Sequence, residues 1–535
     1  LFRLVLPVML ALVLICELAG AAVHADFNGD GYDDLVIGVT GEQLGNSTHA
    51  GAIHVVYGGS DPNNLLNQFW HQNTVDILDS ASASEQFGKA LATGDFNDDG
   101  YDDLAVGVPG DDWVNPLLFT FRDKAGGVNV FYGSSNGITS ANNQFWTQNS
   151  QGILDDVETE DQFGSALAAG DFDDDGFDDL AIGVPYEDIN GVNNAGAVNV
   201  LYGSTNGLSP AGDQFWHQDS NGVLSDAATG DNFGNALAVG DFDNDGFADL
   251  AIAVGGEDVN NEENSGAVNI LFGSSEGLAA ANDQFLDGNN LIGDSSEYDV
   301  FGATLAAGNF NGDAYDDLAI GIPYKNFGNV SNAGAALVLY GSSFGLLPAV
   351  NQLWAQDNTG LPDHHDDSFG SREKDDTFGW ALTAGDFNGD TIDDLAIGVR
   401  SEDYLRGSFP VIDTGAVNVI YGSPNGLTAS GKQFWNQDND GITDVGLDSD
   451  WYGAALASGD YNDDGYTDLA IGTPFKDVIG NDFEKRYNAG QVYIRFGSPN
   501  GICESNTSGC LYGKIISQEI LQNPEPGDSL GMTLD

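Results

Sequence analysis

Short apolar runs punctuated by glycine recur along the chain, and one stretch shows their order clearly. It opens with the dipeptide Phe163-Gly164, runs on as ALAAGD, and continues as DLAIGVP at 179–185. A variable loop leads to GAVNVLYG at 196–203, and a turn near Ser204–Gly207 leads to QFWHQD. Each run is rich in Val, Ile, Leu or Tyr and bounded by Gly or Pro, so the unit predicts four short strands. The second and third runs are apolar at successive positions rather than alternate ones. Strands buried on both faces read this way, as they do when a small sheet is sandwiched between neighbours.

The FG opening returns at Phe87-Gly88, Phe233-Gly234, Phe301-Gly302 and Phe378-Gly379, with Tyr452-Gly453 as a variant. Between the first and second strands lies an acidic loop, first seen at Asp26 as DFNGDGYDDL. It recurs at Asp95, Asp171, Asp241, Asn309, Asp386 and Asp460, a period of roughly 70 residues. Seven units of four strands predict an all-β, seven-bladed β-propeller with four-stranded antiparallel blades, occupying 26–535. The first unit lacks its FG strand. The C-terminal SLGMTLD carries Leu530-Gly531 in place of FG and Leu534 in place of Leu91, so it is expected to close the first blade.

The loop residues set the chemistry. In DFNDDGYDDL, Asp95, Asn97, Asp99 and Asp103 occupy positions 1, 3, 5 and 9. A sharp turn at Gly100 brings these oxygens together with the carbonyl of Tyr101 at position 7. The first loop offers Asp26, Asn28, Asp30, Tyr32 and Asp34, and the third Asp171, Asp173, Asp175, Phe177 and Asp179. The fourth offers Asp241, Asp243, Asp245, Phe247 and Asp249, and the fifth Asn309, Asn311, Asp313, Tyr315 and Asp317. Asp386, Asn388, Asp390, Ile392 and Asp394 form the sixth set, and Asp460, Asn462, Asp464, Tyr466 and Asp468 the seventh. Oxygen-only, carboxylate-rich ligands without His or Cys select a hard cation, and Ca²⁺ fits better than Mg²⁺, which keeps several waters. Up to seven Ca²⁺ ions are expected. An EF-hand is excluded because position 12 of the second loop is Val106 and the flanks read as strands. The third and fourth loops, with four carboxylates each, are expected to bind tightest. The fifth is expected to bind most loosely, having Asn309 at position 1 and Ala314 at the turn. The sixth has Thr391 at its turn.

These motifs resemble the FG-GAP repeats of the integrin α-subunit head, and they are also like those of glycosylphosphatidylinositol-specific phospholipase D. The resemblance covers essentially all of 26–535. It implies a seven-bladed propeller with Ca²⁺ between first and second strands, ligand binding on the opposite face, and a role in cell adhesion. Two departures stand out. All seven units carry a version of the metal loop, and neither integrin leg domains nor a transmembrane helix is expected from these residues.

Charge narrows the partners. Acidic residues number 83 against 15 basic ones, giving a formal charge of −68. Twenty-two of the carboxylates stand at ligand positions of the loops, and seven divalent ions would offset only a minority of the excess. Such a surface excludes nucleic acid and anionic membranes as general partners. Residues 1–25 read as a signal peptide, with Arg3, an apolar run Leu4–Ile15 and small residues before Asp26. A secreted or cell-surface protein follows. Cys503 and Cys510 are spaced for a small disulfide loop, with two free thiols as the alternative.

Trp70, Trp146, Trp216, Trp354 and Trp435 recur at one position of the QFW run. Packing between blades explains this better than sugar stacking does. His49, His54, His71, His217, His364 and His365 show no zinc spacing and read as surface residues. No GxSxG, HExxH or isolated catalytic set interrupts the repeats, so the chain reads as a binding module rather than a hydrolase or lectin. A Ca²⁺-stabilised surface layer or scaffold is the alternative. The loops after the second strands concentrate the scarce basic residues, among them Lys325, Arg400, Arg406, Lys476, Lys485 and Arg486. They are expected to form a basic patch that engages a protein or glycan ligand on the face opposite the metal loops.

Overall fold

The computed structural model describes residues 25–535 except 62–65, 116–119, 294–295, 357–372, 407–408, 439–444, 480–484, 504–512 and 518–526. Seven antiparallel sheets follow one another as the blades of a propeller. The third blade is Ala166–Gly170, Asp179–Val184, Ala197–Tyr202 and Ser209–Trp216, paired in that order. Its last strand starts well before the QFW run, because the tight turn after Tyr202 sets Ser209 opposite Tyr202 and a bulge absorbs the offset.

Every position of the second and third strands in this blade is buried. The reason is packing between blades. Among the described residues, seven apolar clusters each join two adjacent blades, and the seventh blade packs on the first through Ala470, Val492, Ile37 and Leu534. Gly38 N–H donates to Thr533 O at 2.8 Å and Val36 N–H to Asp535 O at 2.8 Å, while Gly531 N–H donates to Gly38 O. In the second blade Gly107 and Gly88 make the matching bonds with Ala90 and each other. Ala25 continues the same line, accepting Asp34 N–H at 2.6 Å.

Polar stitches run beside the apolar ones. The Tyr132 hydroxyl, at the end of the third strand of blade 2, donates to Gln144 and accepts Leu208 N–H of blade 3 at 3.2 Å. The hydroxyls of Tyr57, Tyr202, Tyr340 and Tyr421 likewise accept the N–H groups of Ile138, Leu278, Leu427 and Ile502 in their neighbours. Blade 4 has Phe272 instead, and there Gln284 accepts Leu346 N–H. A Cβ at Gly207 would lie 1.7 Å from the Tyr132 hydroxyl, so the turn must be glycine. Trp354 and Trp435 are buried, and Trp70, Trp146 and Trp216 pack partly buried against the inter-blade clusters.

His54 corrects the surface reading of the histidines. It lies within the strand Ala52–Val56, 1% exposed, with its ring 4.7 Å from that of Phe69 and no hydrogen-bond partner on either nitrogen. Its neighbours in sequence are hydrophobic, and only the sheet register shows that it faces the same packed interior. Burial pushes its pKa down from 6.5 to about 4. A depressed histidine contributes stability that is full above pH 6.5 and is lost as pH falls toward 4. Relative to His54→Leu, the wild type should therefore lose on the order of 2 kcal/mol of unfolding free energy between about pH 7 and 4, read by denaturant unfolding. Tyr132→Phe orphans the buried Leu208 N–H and should cost about 1–3 kcal/mol in the same assay.

Candidate metal centres and the opposite face

Each acidic loop is a pre-shaped turn at one end of its blade. In the third, Asp171 at position 1 accepts the N–H groups of Asp175 at 3.1 Å and Gly176 at 2.9 Å. Asp175 accepts Phe177 N–H at 3.1 Å. Asp179 at position 9 is buried at the start of the second strand, where it accepts Phe172 N–H at 3.0 Å and Gly203 N–H at 2.8 Å. The backbone thus aims the carboxylates of positions 1, 5 and 9. The turn at Gly176 has φ +92°, as position 6 was expected to require. Position 4 is left-handed too, through Asp98, Asp174, Asn244 and Asp463 or through Gly29, Gly312 and Gly389. Asp, Asn and Gly are the residues that tolerate this conformation.

One carboxylate oxygen each from Asp171, Asp173 and Asp179 lies within 4.8 Å of the others, and Asp241, Asp243 and Asp249 are arranged alike. Asp173 Oδ1 and Asp243 Oδ1 are buried without a hydrogen-bond partner. Burial raises Asp179 and Asp249 from 3.8 to about 8, and the neighbouring carboxylates add to the shift. Crowded acids with an orphaned buried oxygen fit a hard cation. In the second, sixth and seventh loops the Asn at position 3 instead donates its amide to position 9: Asn97 to Asp103 and Asn462 to Asp468 at 3.0 Å, and Asn388 to Asp394 at 3.3 Å.

The fifth loop differs. Asn309 donates to Asp313 O at 2.8 Å, and Asn311 accepts Asp313 N–H, a bond that position 1 makes elsewhere. Ala314 therefore avoids positive φ, so the strain expected there is absent, whereas Thr391 in the sixth loop adopts φ +71°. The sequence pattern also left position 8 without a role. Asp178 accepts Asp95 N–H at 2.9 Å, Asp316 accepts Asp241 N–H at 2.9 Å, and Asp33 accepts Asp460 N–H at 2.6 Å. Such bonds tie five of the seven loops to the one before and include the link from the seventh blade to the first; position 8 is Ala248 in the fourth loop and Thr467 in the seventh. The Asp-Asp pair at positions 8 and 9 was the available signal, but only the ring brings its partner near.

Strands alternate in direction, so the loops after the second strands emerge at the other end of the blades. Here the expected basic patch is corrected. Lys325 and Lys476 are buried in ion pairs with Asp299 and Asp450, both at 2.9 Å. Arg400 lays its guanidinium 3.1 Å from the centre of the Trp380 ring and 4.4 Å from that of Trp451. In so acidic a chain, these cations are drawn to buried carboxylates and aromatic faces. Lys485 is exposed but pairs with Asp477 at 2.7 Å, and Arg486 is half-buried. The Arg406 side chain lies outside the described residues, as do Cys510, His364 and His365. Cys503 is disulfide-bonded. Three of these loops are hairpins: Trp113–Asn115 with Thr120–Arg122, Tyr404–Arg406 with Phe409–Val411, and Val478–Ile479 with Lys485–Arg486. They expose Val114, Phe121, Phe409 and Tyr487.

With the loop geometry, the charge count gives an expected order of Ca²⁺ affinity. In Ca²⁺ titrations of single-loop variants, Asp173→Asn should remove one of the tightest events, and variants of the fifth loop should affect only the last to fill. Thr391→Gly, which relieves the positive φ, should raise stability by about 0.5–1 kcal/mol. A fifth site that fills first would overturn the ranking.

Comparison with known proteins agrees with this architecture. The FG-GAP repeat matches at 19–56, 87–131, 163–201, 233–271, 301–339, 378–417 and 452–494, once in every blade. Integrin alpha-PS2 of Drosophila melanogaster is 30% identical over 283 residues, 51% of this chain and 17% of that protein. Phosphatidylinositol-glycan-specific phospholipase D of Bos taurus is 34% identical over 185 residues, 34% of this chain and 21% of that protein. The human protein of the same name is 36% identical over 174 residues, 32% of this chain and 19% of the relative. The chain thus spans about a fifth of the length of the curated relatives it matches. With the repeat present in each of its seven blades, the chain belongs to the FG-GAP repeat family.

Proposed function

We propose that this chain is a Ca²⁺-binding propeller of a secreted or cell-surface protein, serving as an adhesion or ligand-binding module rather than a catalyst. The observation that carries this is the division of labour between its two ends. One end repeats an acidic loop seven times, and in blades 3 and 4 its carboxylates are already gathered. The other end varies from blade to blade and raises three hairpins with exposed apolar side chains. Constancy suits a structural ion, and variation suits recognition. The integrin alpha relatives support adhesion. The name phospholipase D belongs to relatives of which the chain spans about a fifth, and its activity is not carried over.

The partner face is assigned to the hairpins of blades 2, 6 and 7, with Phe121, Phe409 and Tyr487 as the contacts and Lys485 and Arg486 as the accompanying charge. Beads coated with the protein should adhere to cells or matrix in about millimolar Ca²⁺ and release in EDTA. Replacing Phe121, Phe409 and Tyr487 together by Ser should weaken adhesion at least several-fold while the thermal midpoint stays unchanged. Adhesion that survives this triple change but is lost on altering the acidic-loop turns would reverse the assignment of faces.

A further inference from the structure

At the end of the blades opposite the acidic loops, a second set of positions repeats. One is the residue two before the FG pair: Asp161, Asp231, Asp299 and Asp450 in blades 3, 4, 5 and 7. Each accepts the backbone N–H three residues earlier, at Glu158, Ala228, Ser296 and Leu447. The other follows the second strand: Glu187, Glu257, Lys325 and Lys476. Each donates its N–H three residues back, and its carbonyl accepts the glycine N–H that opens the third strand. Glu85 with Asp111 in blade 2 and Asp376 with Glu402 in blade 6 hold the same two positions, so this is one place in the fold, filled by lysine in blades 5 and 7 and by a second acid in the others. In blades 5 and 7 a lysine ammonium meets the aspartate at 2.9 Å, with both side chains buried. In blades 3 and 4 a glutamate stands where the lysine would be, so two acids face each other.

Blade 3 adds more oxygen. Glu158, Asp161 and Glu187 each bring a carboxylate oxygen within 4.8 Å of the others, and the Asp155 side chain reaches the Glu187 carboxylate. Gln148, 1% exposed, comes from the end of the preceding blade. Its amide nitrogen donates to Glu187 at 2.5 Å, and its Oε1 has no hydrogen-bond partner. Gln218 repeats this in blade 4, donating to Glu257 at 2.6 Å with its own Oε1 unpartnered. Paired carboxylates beside a buried amide whose oxygen has no partner, where sister blades place an ammonium, call for a positive charge.

We propose that blade 3 binds a divalent cation, of the Ca²⁺ class, between Glu158, Asp161, Glu187 and the Gln148 carbonyl, in the place that lysine fills in blades 5 and 7. The all-oxygen set excludes softer metals. This site is separate from the acidic loops and lies at the other end of the blade, so it stands or falls independently of them.

The test is equilibrium dialysis with ⁴⁵Ca²⁺ at saturating concentration, on wild type, Glu187→Lys, Glu187→Gln and the loop variant Asp173→Asn, each checked for folding by circular dichroism. Both Glu187 variants should bind one ion fewer than wild type. In EDTA, Glu187→Lys should melt at or above the wild type, because its ammonium stands in for the ion, and Glu187→Gln should not match Glu187→Lys. If Glu187→Lys fails to fold, Glu187→Gln still carries the count. Folded Glu187 variants that bind as many ions as wild type would overturn the proposal. A loss on Asp173→Asn alone would leave the loop reading standing without this site, and a loss on the Glu187 variants alone would do the reverse.

Discussion

Buried negative charge with too little basic charge to balance it is the constraint on which this structure depends. Acidic residues outnumber basic ones 83 to 15, and position 9 of every loop, from Asp34 to Asp468, is a buried aspartate. These carboxylates cannot move outward. Each accepts an N–H of the turn after the third strand, and five of the seven also accept the N–H of position 2 in their own loop, as Asp249 does with Gly273 and Phe242, both at 2.9 Å. Hydrogen bonds orient a buried charge but do not cancel it, and an uncompensated one costs several kcal/mol. On the proposed reading, a divalent ion within a loop would offset that cost and let the carboxylates stay ionised where the backbone needs them.

The ring multiplies the effect. Neighbouring blades share apolar clusters, tyrosine-to-backbone bonds and the position-8 stitches, so a loosened loop acts on two interfaces at once. The same arrangement frees the other end of the blades. Strand pairs there need only meet at the FG level, as Gly126 and Phe163 do, and beyond it the loops vary in length and composition. Hairpins with exposed apolar side chains stand on that base, carried by blades whose opposite ends are held alike.

Much of this was legible in the sequence. Strand number, repeat count and the 1, 3, 5, 9 spacing are local patterns, and the local backbone follows them. What escaped was set by distance. Lys325 and Lys476 look like loop cations until the fold brings each against an aspartate 26 residues earlier. Arg400 is an exposed loop residue by pattern, but Trp380 and Trp451 flank its guanidinium in space. Ala314 was expected to bear strain because the turn was assumed identical in all loops; Asn309 and Asn311 change the hydrogen bonds and with them the turn. Gln148 sits in a visible QFWTQ motif, but its glutamate partner is 39 residues away.

The most direct measurement is the thermal midpoint of the protein at neutral pH in about 2 mM Ca²⁺ and again in EDTA. Extracellular Ca²⁺ modules bind at about 10⁻⁴–10⁻³ M, and each site at tenfold excess over Kd adds roughly 1.4 kcal/mol. Several such sites rival the stability of a whole domain, about 5–15 kcal/mol. The midpoint should fall by more than about 10 °C on chelation and recover when Ca²⁺ is restored. Superimposable melting curves in the two buffers would contradict the claim that cations balance the buried carboxylates.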